Sequence, residues 1–223
     1  MTNKLVLVGF AVLLSGSLSI SQERPLKGAE YCSSKRLKQF EMLMKESASP
    51  NSPHHSFDVL NYTLYLNIYN NFLLPYPKSF TATNTITFRV DSTLDSIQLN
   101  AADYSLEIDS VALAGKTFSR ANHILTIRLD TTHKPNDTVR VKIYYRHKDI
   151  ADGAFYASGG MVFTDCEPEG ARRWFPCWDR PSDKATLDLT AKVPAGVKLG
   201  SNGKLVDSLR ADTSCYYHWV SRD

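Results

Sequence analysis

The sequence lacks several motifs that would assign it a chemistry at once. None of its six histidines is followed by Glu, so the H-E-x-x-H motif is absent and a helical two-histidine zinc site is excluded. No G-x-S-x-G segment is present, which excludes a serine hydrolase built on a nucleophile elbow. Internal repeats and low-complexity tracts are also missing, and this excludes a solenoid.

Cysteine is scarce. The chain has four cysteines, and no two of them have the C-x-x-C spacing of a zinc ribbon or a redox site. In an oxidising compartment four cysteines permit one or two disulfides, and a bridge between Cys166 and Cys177 would close only a short loop. The simpler interpretation of Cys177 is a small buried hydrophobic residue.

A large excess of charge of one sign is missing as well. The formal net charge is +3 over 223 residues, and the acidic and basic residues are interspersed. Neither a nucleic acid nor an anionic membrane surface is therefore implied as a partner. With 43% hydrophobic and 22% charged residues, the chain has the composition of an ordinary globular protein.

The apolar run near the N-terminus is too short to span a membrane. It extends over residues 5–14, whereas a bilayer requires ~20 apolar residues. Lys4 precedes the run, and small residues suited to cleavage follow it at Ser17, Ser19 and Ser21. We therefore predict a cleaved signal peptide over residues 1–21 and a protein exported to the periplasm or the extracellular space.

Residues 22–56 are predicted to form a helical extension and a linker. Leu37, Phe40 and Met44 recur at helical spacing, which favours one short helix over residues 35–47. Residues 49–55 are rich in proline, serine and asparagine, as is typical of a linker. His54 and His55 are adjacent on this segment, so we expect a solvated loop there and no metal site.

From Phe57 onward, apolar residues alternate with polar ones, as in strands that are half buried. Leu64, Leu66 and Ile68 show this pattern first, and it returns at residues 80–90, 125–129 and 139–145. Shorter candidate strands lie at residues 96–99, 106–113, 187–193, 197–200 and 216–220. Many short strands without long helices predict an all-β fold, an antiparallel sandwich over residues 57–223.

The segment from Phe163 to Thr186 is too rich in charged, aromatic and cysteine residues to be explained by core packing. It resembles the signature T-Q-F-E-P-x-x-A-R-x-x-F-P-C-F-D-E-P-x-x-K-A-x-F of the N-terminal domain of aminopeptidase N-like zinc metallopeptidases, the membrane alanyl aminopeptidase family. Twelve residues are in register with that signature: Thr164, Glu167, Pro168, Ala171, Arg172, Phe175, Pro176, Cys177, Asp179, Pro181, Lys184 and Ala185.

The resemblance extends to the flanking sequence. Residues 57–66 are similar to the first strand of that family's domain, and Gly153–Ser158 is similar to its G-F-Y-x-S turn with one residue inserted. The resemblance therefore covers most of the chain after the leader. It implies a saddle-like β domain that packs against a catalytic domain further along the same polypeptide.

Glu167 is the candidate for substrate binding. A carboxylate on a rigid loop can bind the free α-ammonium of a peptide through charge-assisted hydrogen bonds, and Pro168 stiffens the backbone beside it. Residues 165–167 are in register with a Q-x-E triplet of the family that this segment resembles. In that family the Glu binds the substrate N-terminus, and the Gln helps to shape the first specificity pocket. Asp165 stands in place of that Gln, so the resemblance implies a second acid at the pocket.

The other signature residues are predicted to hold the loop in place and not to catalyse. Alternating charges around an aromatic segment are typical of a network of ion pairs and hydrogen bonds that would fix the loop against a second domain. The residues of this structural and interface set are Arg172, Phe175, Pro176, Cys177, Asp179 and Lys184.

The resemblance implies zinc in the full-length enzyme, none of it bound by this chain, and peptide N-termini as substrates. Because the chain ends at Asp223 directly after a predicted strand, we expect a fragment that is inactive alone. The alternative is a stand-alone secreted β-sandwich that binds a peptide or protein without catalysis. That module would leave Trp174, Phe175 and Trp178 exposed in a cluster, which argues against it.

Overall fold

The computed structural model describes residues 56–180 and 182–222, so the predicted signal peptide, helix and linker lie outside the described residues. No helix within the described ranges is long and apolar enough to cross a membrane. Within these described residues twelve strands follow one another: β1 (Phe57–Asn67), β2 (Phe80–Val90), β3 (Leu94–Asn100), β4 (Leu106–Leu113), β5 (Gly115–Ala121), β6 (Ile124–His133), β7 (Thr138–His147), β8 (Phe155–Ser158), β9 (Met161–Thr164), β10 (Thr186–Pro194), β11 (Lys204–Ala211) and β12 (Ser214–Ser221).

The strands form three sheets, which confirms the all-β prediction. The largest has seven strands in the order β11-β12-β10-β1-β2-β7-β4, a second has the order β3-β6-β5, and the third is the hairpin of β8 and β9. Pairing is antiparallel except between β1 and β10, which run parallel. The structure therefore agrees with the predicted β-sandwich and differs from a purely antiparallel one at this single pair.

Sequence alternation explains the inner face of the large sheet. In β1, Leu64 and Leu66 are buried, and in β2 Ile86 and Phe88 are fully buried. They belong to one hydrophobic core that also contains residues of the two smaller sheets, such as Ile97 and Phe155. Hydrophobic burial therefore holds the smaller sheets over one face of the large sheet.

Not every predicted strand forms. The strand expected at residues 197–200 is wrong, because this segment is a loop between β10 and β11. Val197 and Leu199 alternate as in a strand, but they are half-buried residues that line a cavity described below. Two short 3₁₀ turns, Tyr69–Phe72 and Ala171–Arg173, complete the described elements.

Candidate functional site

The segment that carries the family signature is a long loop between β9 and β10, and we call residues 165–180 the signature loop. It is anchored first to the large sheet. The side-chain amide of Asn84 donates to the carbonyl oxygen of Pro176 at 2.7 Å, and the amide of Trp178 donates to the Tyr62 hydroxyl at 3.0 Å. Burial raises the pKa of Tyr62 well above its ordinary value, so this hydroxyl stays protonated.

The second anchor is the small sheet at the end of β3. Asn100 and Cys177 exchange two backbone hydrogen bonds of 2.7 and 3.0 Å. The side-chain oxygen of Asn100 also accepts from the amide of Asp179, and the amide of Ala102 donates to the carbonyl oxygen of Arg172. Two sheets therefore fix the backbone of the signature loop at several points.

A network of charges closes the loop on itself. The Arg172 guanidinium donates to Asp179 through Nε at 2.7 Å and to Glu169 through Nη2 at 2.7 Å. Arg180 donates to the other oxygen of Glu169 at 3.2 Å. Burial alone would lower the pKa of Arg172. The carboxylates of Asp179 and Glu169 outweigh burial and raise this pKa above its ordinary value.

Glu167 lies at the outer edge of this fixed loop and is exposed, whereas Asp165 is half-buried. The amide of Gly170 donates to the carbonyl oxygen of Cys166 at 3.0 Å and so closes a tight turn around Glu167. A Cβ added at Gly170 would lie 2.9 Å from Cα of Cys166, so this turn requires glycine. The arrangement presents a carboxylate on a backbone that is already ordered.

The structure places the other predicted residues inside this domain. Phe175, Pro176, Cys177 and Asp179 are buried, Arg172 is half-buried and Lys184 is exposed. The surfaces that the buried residues contact belong to the domain's own sheets. That the loop is also fixed against a second domain stays a prediction.

The expectation of an exposed aromatic cluster is wrong. Trp174 and Phe175 are each only 9% exposed and belong to the core, and Trp178 is half-buried against it. The Trp174 indole donates to Sγ of Cys166 at 3.0 Å. The domain's own core therefore buries Trp174 and Phe175.

The cysteines near the loop are not bridged. Cys166 and Cys177 are free thiols, so the permitted bridge between them does not form. Cys177 is buried, as its simpler interpretation predicted, and burial raises the pKa of its thiol well above the ordinary value.

A largely apolar cavity of about 900 Å³ lies beside the signature loop. Its walls are the inner faces of β1 and β10, the hairpin of β8 and β9, and the loop of residues 196–202. Thr164 and Cys166, which flank Asp165, also line it. The acidic end of the signature loop and this cavity therefore share one border.

A buried pair supports the hairpin that leads into the loop. Nε2 of His147 lies 3.1 Å from Oδ2 of Asp152, and both side chains are 0% exposed. Burial alone would raise the pKa of the Asp152 carboxyl. Hydrogen bonds from His147 and from the amides of Phe155 and Ala154 outweigh burial and lower that pKa below its ordinary value.

Acid is expected to destabilise the domain through this carboxyl. Because its pKa is lower in the folded than in the unfolded chain, it stabilises the fold above the unfolded pKa, and this contribution is lost as the pH falls through the folded pKa. We expect the free energy of unfolding to decline below about pH 4, and to decline less in an Asp152→Asn variant. Urea unfolding of both proteins across this range checks the prediction, and equal declines would contradict it.

The described residues do not fit a metal. Within residues 56–180 and 182–222, no three His, Cys, Asp or Glu side chains lie close enough together to hold an ion. These residues therefore do not supply a ligand set for the zinc that the resemblance implies for the full-length enzyme.

Comparison with known proteins gives one family match, to the Peptidase M1 N-terminal domain over residues 59–222. Among curated proteins, Aminopeptidase M1 of Arabidopsis thaliana is 30% identical over 153 residues, which are 57% of this chain and 17% of that protein. Aminopeptidase M1-B of Oryza sativa subsp. japonica is 40% identical over 76 residues, 34% of this chain and 8% of that protein.

Solved structures agree on the fold. The M1 zinc metallopeptidase of Deinococcus radiodurans has a TM-score of 0.66 at 21% identity, over 75% of this chain and 39% of that one. A mutant of it, bound to a Tyr-Ser-Ala substrate, has a TM-score of 0.68 at 20% identity, over 79% of this chain and 41% of the other. The chain thus spans less than a fifth of these curated relatives and about two fifths of these structures.

Proposed function

Because this chain belongs to the Peptidase M1 N-terminal domain family, we propose that it is the substrate-anchoring domain of a zinc-dependent aminopeptidase that removes residues from peptide N-termini. One observation carries the proposal. Glu167 is exposed on a turn that the hydrogen bond from the amide of Gly170 to the carbonyl oxygen of Cys166 closes, and it is in register with the Glu of the family signature.

The role of Glu167 in this proposal is to accept hydrogen bonds from the α-ammonium of a peptide. Charge-assisted hydrogen bonds of this kind are about twice as strong as neutral ones. Because the loop is fixed on both sides of Glu167, little order has to be gained when a peptide binds. Peptides that lack a free amino group lose this interaction, and so the site selects the end of a chain.

The rest of the reaction belongs to other parts of the protein. Zinc and the groups that activate water would come from a catalytic domain in the same polypeptide, since the described residues hold no metal ligand set. We therefore infer that this chain alone is inactive. Its contribution is to bind and orient the peptide N-terminus.

We also propose that the protein is exported. The support is the sequence of residues 1–21, which has the charged start, short apolar run and small residues of a signal peptide.

A stand-alone binding module is the second candidate. The burial of Trp174 and Phe175 inside the domain favours it, because their exposure was the main objection to a domain that functions without a partner. In this case the cavity beside the signature loop would bind a peptide without hydrolysis.

The experiment that separates the two candidates is to determine the coding sequence beyond Asp223 and assay the complete product. We expect a continuing frame with an H-E-x-x-H motif, and a protein that hydrolyses leucine 4-nitroanilide but not its N-acetyl derivative. A stop codon directly after Asp223, with a secreted product that binds free-amine peptides without hydrolysing them, would contradict the enzyme and support the binding module.

A further inference from the structure

The buried pair of His147 and Asp152 lies where the large sheet ends and the hairpin of β8 and β9 begins. His147 is the last residue of β7. Its ring stacks on Phe80 with centroids 5.1 Å apart and an interplanar angle of 8°, and Phe155 lies 5.4 Å away. The imidazole of His147 therefore lies between two aromatic rings, and the side chains of both His147 and Asp152 are shielded from water.

Every polar atom of this pair has a partner. Nδ1 of His147 lies 2.8 Å from the carbonyl oxygen of Lys78, and it must carry a proton because a carbonyl oxygen can only accept. The second oxygen of Asp152 accepts from the amides of Ala154 and Phe155, both at 2.8 Å. Asp152 thus fixes the two backbone groups with which the hairpin starts.

The same contacts continue into the signature loop. The carbonyl oxygen of Ala154 accepts from the amide of Asp165 at 2.8 Å, at the point where the loop begins. On the far side of the turn, Nη1 of Arg173 donates to the carbonyl oxygen of Asp152 at 3.1 Å. Asp152 is therefore connected to both ends of the turn that presents Glu167.

We propose that His147 and Asp152 are positioning residues that set the backbone of the acidic turn at residues 165–170. A pair of this kind is costly to bury, and an apolar pair of similar volume would fill the space equally well. Apolar side chains would not accept the amides of Ala154 and Phe155. The inference rests on the proposed function only where it concerns peptide binding, since the backbone effect is measurable in this chain alone.

Amide hydrogen exchange measured by NMR tests the proposal. In an Asp152→Asn variant we expect the increase in exchange at Asp165 to exceed the increase in β6, which reports the loss of global stability, by at least about tenfold. The matched control is Asp188→Asn, because Asp188 pairs with His218 at 2.8 Å in a different part of the sheet. The control is expected to leave exchange at Asp165 unchanged.

Exchange at Asp165 that stays unchanged in Asp152→Asn, or that rises by the same factor as in β6, would overturn the proposal. If the Asp152→Asn variant does not fold, amide exchange in the unaltered protein still tests the proposal. The proposal requires the amides of Ala154, Phe155 and Asp165 to open as one unit, with a common opening free energy that is smaller than the free energy of global unfolding. An opening free energy at Asp165 that differs from the one shared by Ala154 and Phe155 would overturn it.

Peptide binding is a separate readout. In the complete protein, Asp152→Asn is expected to raise KM for free-amine substrates by about tenfold with kcat little changed, because a displaced Glu167 weakens binding in the ground state and the transition state alike. If exchange at Asp165 rises and KM does not, the anchoring role of Glu167 fails and the positioning of the turn stands. If exchange at Asp165 does not change in Asp152→Asn while Glu167→Gln raises KM, the positioning role of His147 and Asp152 is contradicted and the anchoring role of Glu167 stands.

Discussion

Replacing Glu167 by Gln is expected to raise KM of the complete protein for free-amine peptides by about ten- to a hundredfold. Hydrogen bonds to charged groups contribute about 1.5–3 kcal/mol, and each 1.4 kcal/mol corresponds to a factor of about ten. Since the α-ammonium is bound both before and during the reaction, kcat should change little. Initial-rate kinetics on a dipeptide series measure both constants.

The matched control for this experiment is Glu169→Gln. It removes the same charge two residues away, but Glu169 is only 10% exposed and bonds Arg172 and Arg180. We expect this variant to lose stability and to keep its KM. An unchanged KM in Glu167→Gln, or an equal increase in both variants, would contradict the assignment of Glu167 as the amine anchor.

Replacing Asp179 by Ala is expected to destabilise the domain by about 2–3 kcal/mol. Removing one partner of a fully buried ion pair costs about 3–5 kcal/mol. The cost should be smaller here because the Arg172 side chain is 22% exposed and keeps its bond to Glu169. Urea unfolding measures the change, and the m-value should remain constant if the unfolded chains are alike.

Asp109→Ala provides the comparison. Asp109 also pairs with an arginine, Arg146, but these side chains are 37% and 56% exposed. Exposed ion pairs contribute about 0–1 kcal/mol. Losses of similar size in Asp179→Ala and Asp109→Ala would show that the charge network does not hold the signature loop.

The strands that the sequence predicts well are those with one buried face and one solvent-exposed face. In β2 and β7 the alternation is clear, since Ile86, Phe88, Val141 and Ile143 are all buried. The strand β11 was not predicted because every one of its residues is exposed, so neither face selects apolar residues. The edge strand β5 was missed for a related reason, as Phe118 is its only large apolar side chain and is 37% exposed.

The hairpin of β8 and β9 shows a different limit. Gly159 and Gly160 have positive φ angles of 58° and 77° and form the turn of this hairpin. The flanking strands have only four residues each, which is too short for alternation to be recognised. The sequence pattern therefore did not reveal this two-stranded sheet.

The candidate site was found through resemblance, and its supports were not found. Glu167 stood out because the signature is local in sequence. Asn84 and Tyr62 bond the loop from 92 and 116 residues away, and an ordinary strand asparagine or tyrosine gives no sign of such a partner. Glu169 was missed because its pairing with Arg172 and Arg180 depends on how the loop folds back on itself.

The parallel pairing of β1 with β10 has a consequence for how this domain folds. Asn61 bonds Thr186 across 125 residues, so β1 cannot pair with β10 until all of the residues between them have been synthesised. At a synthesis rate of about 5–20 residues per second, β1 waits roughly 6–25 s for its neighbour. Contacts so distant in sequence also slow folding, because a long loop must close before they form. The ordered acidic turn is therefore expected to be among the last parts of the domain to mature.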